Sequence, residues 1–110
     1  INTAWQIMKD NNDGQKPIWL TELGLSADAS DPKKAQQQAE YLRKVYTRLI
    51  KHPKVDKIFW YNFRCKLFGD PQEDNLGIVN RDFTPKPAYI TLSQLPKVTV
   101  RKINPQLAGP

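Results

Sequence analysis

The stretch Lys16-Pro17-Ile18-Trp19-Leu20-Thr21-Glu22-Leu23-Gly24 decides how this chain is read. Proline and glycine bound a run that is apolar or β-branched at nearly every position and that carries one carboxylate near its end. Such a run predicts a strand buried on both faces, as in a parallel sheet. Strict alternation then places Ile18, Leu20 and Glu22 on one face, with Trp19 and Thr21 on the other.

Upstream, Ala4, Trp5, Ile7 and Met8 give an amphipathic helical pattern from Thr3 to Asn11, with Gly14 as the left-handed stop. Downstream, Asp31-Pro32 is a strong helix start, a capping carboxylate followed by proline at the first helical position. Ala35, Ala39, Leu42, Val45, Tyr46, Leu49 and Ile50 recur at three- and four-residue steps, and His52-Pro53 ends that helix. Val55 to Phe63 reads as a second buried strand. Residues 64–85 read as a long loop, of the kind that is usually functional when it lies inside a compact domain. Lys86-Pro87 opens a last helix through Leu95, and residues 97–110 read as a tail or linker with a short Val98-Thr99-Val100 stretch.

The order helix, strand, helix, strand, helix predicts an α/β fold built on one βαβ unit. Two parallel strands leave both outer sheet edges unpaired, which predicts that more of the sheet exists elsewhere. The chain also opens at Ile1, as if within a helix of a longer protein.

Composition narrows the function classes. The 110 residues carry a formal charge of +6, but the longest basic run is Lys33-Lys34. Nucleic-acid modules cluster such charge with interleaved aromatics, so a nucleic-acid partner is not expected. No apolar stretch approaches the roughly 20 residues of a membrane-spanning helix, and no membrane partner is expected. Cys65 is the single cysteine and His52 the single histidine, too few for a metal shell or an intrachain disulfide, and a Ser-His-Asp or Cys-His site would have to use His52. His52 at a helix end reads as a C-terminal cap.

Glu22 is the most informative residue. Functional crevices of α/β sheets lie at the C-terminal ends of strands, and a carboxylate among apolar neighbours there needs either a site or a partner. It is thus a functional acid or a loop-capping one. Trp60 and Asn62 alternate onto one face of the second strand and would open at the same end. An indole suits the C–H face of a pyranose and an amide suits its hydroxyls, although an aromatic at that position also suits a core.

Taken together, KPIWLTELG, a helix, KIFWYNFR, the acidic loop EDNLGIV and DFTPKPAY resemble the last third of clan A glycoside hydrolases. These are the cellulase-like and xylosidase-like (β/α)₈ enzymes, and the resemblance covers about residues 3–95. It implies that residues 1–96 form the C-terminal part of a TIM barrel, about strands 7 and 8 with their helices. It further implies that Glu22 is the nucleophile of a retaining mechanism acting on a β-linked oligo- or polysaccharide. Trp60 would floor the sugar subsite, with Asn62 and Arg64 as further substrate contacts. No cofactor is implied, and an exported location is.

Family members carry their acid/base in an Asn-Glu pair at the end of strand 4, and this chain has no such pair. The missing N-terminal barrel portion is therefore expected as a partner, and the piece alone is expected to be inactive. Two other readings fit the residues: a noncatalytic carbohydrate-binding barrel, and a small basic α/β module for anionic ligands.

Overall fold

The computed structural model describes residues 1–96, so the tail expected at 97–110 lies outside the described residues. Four helices and two strands follow one another as α1 (Asn2–Asp10), β1 (Ile18–Leu23), α2 (Pro32–Leu49), β2 (Val55–Trp60), α3 (Pro71–Asp74) and α4 (Pro87–Gln94). The strands pair in parallel, with α2 as the crossover between them.

Local chemistry accounts for the boundaries. The Asp31 carboxylate accepts from the amides of Lys33 and Lys34, both at 3.1 Å, and Pro32 fills the first helical turn of α2. This satisfies two of the amides that every helix start leaves open. Asp70-Pro71 repeats the device at α3, within the segment expected to be loop. At the end of α1 the left-handed residue is Asn12, with φ of 62°, rather than the expected Gly14. Asparagine tolerates that region almost as glycine does.

The helices cover one face of the strand pair. Ala39 and Leu42 of α2 and Ala88 of α4 meet Ile78 and Val79 from the preceding loop, and Tyr46, Trp60, Leu92 and Leu95 pack around them. Leu42 is fully buried, which stabilises the fold by about 1.5–3 kcal/mol. The 64–85 segment thus contributes to the core as well as to the surface. Val79 forms a parallel bridge to Arg64 and an antiparallel one to Pro85, which ties that segment down.

The opposite face is bare. Trp19 and Phe59 are 53% and 46% exposed there, with ring centroids 6.4 Å apart. Among the described residues each strand is therefore covered on one face, not on both as the sequence predicted.

Candidate active site

Pairing of β1 with β2 fixes where the candidate residues point. Leu20 is aligned with Ile58 and Leu23 with Trp60, so Thr21 and Glu22 together stand opposite the single residue Phe59. Two residues facing one is a β-bulge, and a bulge re-aims the side chains beyond it. Leu20 and Leu23 are half-buried, whereas Thr21 and Glu22 are both exposed. Glu22 therefore lies on the open face with Phe59, not with Ile18 and Leu20 as strict alternation required. It sits next to the C-terminal end of β1 and makes no ion pair among the described residues.

Trp60 is placed the other way. Its indole N–H donates to the Leu76 carbonyl at 3.2 Å, and its ring meets Tyr41 of α2 edge-on at 6.2 Å. It is a core side chain on the helical layer, so the expected sharing of one face by Glu22 and Trp60 is corrected. The next aromatic, Tyr61, directly follows β2, with its amide donating to the Leu23 carbonyl at 2.8 Å. The Lys66 ammonium stands 5.4 Å from the Tyr61 ring centroid. The Tyr61–Asn62 peptide is cis.

Asn62 follows at the strand end. Both polar atoms of its side chain are buried and have no hydrogen-bond partner among the described residues. Burying an amide unpaired costs about 1–3 kcal/mol, so this side chain calls for a partner. Arg64 is already engaged: its Nε donates to the Arg81 carbonyl at 2.7 Å, a second guanidinium nitrogen bonds the same oxygen, and Phe83 lies beneath the group at 4.2 Å.

Glycine at position 24 is set by close approach. A Cβ there would run into the Tyr61 carbonyl oxygen, so the turn out of β1 presses directly on the end of β2. Beyond it, Asp28 and Asp82 shape the rim. The Asp28 carboxylate accepts from the Ser30 amide and hydroxyl, and these bonds hold its pKa below the ordinary aspartate value. Asp82 does the same with Thr84. A cavity of about 370 Å³ opens between these loops, lined in part by Asp28, Lys66, Asn75, Asn80 and Arg81.

Lys86 was missed at the sequence level, where it reads only as the residue before a helix-starting proline. It is 2% exposed, and its ammonium donates to the carbonyls of Ala27 at 2.8 Å, Gly77 at 2.8 Å and Asn75 at 3.2 Å. At the end of α2 the His52 amide donates to the Leu49 carbonyl at 3.0 Å, so His52 caps the helix through its backbone. Its ring reaches Asn2 of α1 at 2.8 Å and accepts from the Lys54 amide, well away from Glu22's end of the strands. Among the described residues no group of three or more His, Cys, Asp or Glu could hold a metal ion. No helix there is long and apolar enough to cross a membrane.

Comparison with known proteins meets this geometry. The family described as glycosyl hydrolase catalytic core matches residues 2–85. Among solved structures, the chain is similar to a family 39 glycoside hydrolase from the gut symbiont Bacteroides cellulosilyticus WH2. Identity is 27% and the TM-score 0.66, over 84% of this chain and 20% of that one. In fold it is similar to GH5_18 from Streptomyces cattleya, solved with GlcNAc, at 20% identity and TM-score 0.62, covering 84% of this chain and 23% of that one. A GH2 β-galacturonidase from Eisenbergiella tayi is similar at 19% identity and TM-score 0.68, covering 83% and 19%. No curated protein sequence matches. The chain spans about a fifth of the length of these structures. The fold is accordingly an α/β piece related to the TIM barrel, and the chain belongs to the glycosyl hydrolase catalytic core family.

Proposed function

We propose that this chain supplies the nucleophile side of a retaining β-glycosidase, with β1 and β2 as the seventh and eighth strands of a (β/α)₈ barrel. The observation that carries the reading is Glu22: an exposed carboxylate with no ionic partner among the described residues, on the open face near the C-terminal end of a parallel strand. That end is where barrel enzymes hold their chemistry.

The mechanism is double displacement. Glu22 attacks the anomeric carbon and forms a glycosyl ester, while a second carboxylic acid about 5–5.5 Å away protonates the departing oxygen. That acid then takes a proton from the water that opens the ester. The acid/base is contributed by a part of the protein outside these residues. General acid catalysis is worth about 10²–10⁴-fold, so the 110 residues alone turn over no glycoside at a useful rate.

Substrate contacts fall to Asn62, whose buried amide lacks a partner among the described residues, and to Tyr61, which takes the aromatic role expected of Trp60. Arg64 acts from behind by fixing the 81–83 turn. The substrate is a β-linked oligo- or polysaccharide.

A mechanism-based fluorinated aryl glycoside tests the reading on the full-length protein. The expected result is a covalent adduct on the peptide containing Glu22. Glu22→Gln should lower kcat on the order of 10⁴-fold, the scale of removing a covalent nucleophile. Retained turnover in Glu22→Gln, or an adduct on another residue, would sink it.

A further inference from the structure

Two loops carry the strand ends of the site into the rest of the molecule, and one side chain touches both. The loop leaving β1 presents the Ala27 carbonyl, and the segment leaving β2 presents those of Asn75 and Gly77. All three oxygens converge on Lys86 Nζ, at 2.8, 3.2 and 2.8 Å. An ammonium has three N–H donors, one for each of these carbonyls, and Cys65 Sγ stands a further 3.7 Å away. Gln38 of α2 reinforces the junction, its Nε2 donating to Leu25 O at 2.7 Å and Gly77 O at 3.3 Å. The loops also bond directly, from the Ala27 amide to Asn75 O at 3.0 Å.

A buried ammonium is a costly way to join two loops if packing alone is needed, since removing its charge from water is offset only by well-placed acceptors. Three preorganised carbonyls fix a point in space more tightly than an apolar contact does. That point is five residues from Glu22 along one loop, and Gly24 of the same loop presses on Tyr61 O.

We propose that Lys86 is a positioning residue of the glycosidase site: its ammonium pins the loop after β1 to the loop after β2, and so sets where Glu22 stands relative to Tyr61 and Asn62. The inference rests on the reading of Glu22 as the nucleophile. Protonation is part of the device. Burial lowers the Lys86 pKa from the ordinary lysine value, opposed by the Cys65 thiol 3.7 Å away and by the Asp28 carboxylate. Above that lowered pKa the amine has two N–H donors for three carbonyls, and the junction loosens.

The test has a kinetic and a structural arm, both on the full-length protein. In the kinetic arm, Lys86→Met should lower kcat at least ~10-fold with KM nearly unchanged, as expected when a reacting group is displaced by a fraction of an ångström. Lys86→Arg, which keeps the charge at every accessible pH, should recover part of kcat. A folded Lys86→Met with wild-type kcat, or a Lys86→Arg no better than Lys86→Met, overturns the proposal.

The structural arm uses the wild type and needs neither variant nor activity. Hydrogen exchange, corrected for its intrinsic pH dependence, should show peptides around Ala27 and Cys65 losing protection together at alkaline pH while α2 keeps its own. Unchanged protection there overturns the junction even if Glu22 proves to be the nucleophile. Joint loss of protection upholds the junction even if Glu22→Gln remains active, in which case the glycosidase reading alone falls.

Discussion

Leu23 is aligned with Trp60 across the parallel pair, and this one match turns both side chains toward the helices. It leaves Thr21 and Glu22 together on the open face. Trp60 then belongs to stability. Trp60→Ala should destabilise the protein by roughly 3 kcal/mol, the low end for deleting a large core aromatic, because the ring is only half-buried. Trp60→Phe should lose about 1 kcal/mol with the bond to the Leu76 carbonyl. Denaturant melts check both, and kcat of Trp60→Phe should stay within about twofold of wild type.

Asn62 behaves in the opposite sense. Its buried amide has no partner among the described residues, so the folded protein carries an unsatisfied donor and acceptor. Asn62→Leu removes that cost with a similar volume and should leave stability unchanged or raise it by about 1 kcal/mol. Glycoside turnover should nonetheless fall at least ~10-fold, the hydrogen bonds being spent on substrate. Melting and kinetics on the same sample decide; a stability loss with intact turnover refutes the assignment.

Close approach at Gly24 gives a sharper expectation. A methyl group there meets backbone oxygen, which cannot rotate away as a side chain can. Gly24→Ala should cost about 1–3 kcal/mol, the range for overpacking, and should reduce kcat by parting the two strand ends. Gly69, with φ of 95° and open space around its Cβ position, makes a useful contrast. Gly69→Ala should cost about 1 kcal/mol from backbone conformation, with kcat unchanged.

How much of this was legible in the sequence follows from the range of each signal. Asp31-Pro32 and Lys86-Pro87 mark helix starts through contacts within a few residues, and both starts lie where the sequence puts them. Asp70-Pro71 carries the same mark for α3, inside a segment whose composition otherwise predicts loop. Both strands were legible from composition, although β2 stops at Trp60 rather than Phe63. The direction of Glu22 was not, because a bulge depends on which partner residue is skipped, and no local pattern records that. The burial of Lys86 was equally hidden: a lysine before a helix-starting proline looks solvent-exposed until three carbonyls from distant loops converge on it.

Acid sensitivity should trace to the rim. Hydrogen bonds from Ser30 to Asp28 and from Thr84 to Asp82 lower both carboxyl pKa values in the folded state. An unfolded aspartate titrates near about 3.9, so between the lowered values and that point the unfolded chain binds more protons than the folded one. Stability from these two groups is therefore complete above about pH 4. It is lost as pH falls through the folded values. Asp28→Asn and Asp82→Asn should each weaken the protein at neutral pH and flatten its loss of stability on acidification. Thermal melts from pH 7 down to the acid transition, on the single variants and on the pair, measure this. A double variant with the wild-type acid slope would show that other carboxylates govern the transition.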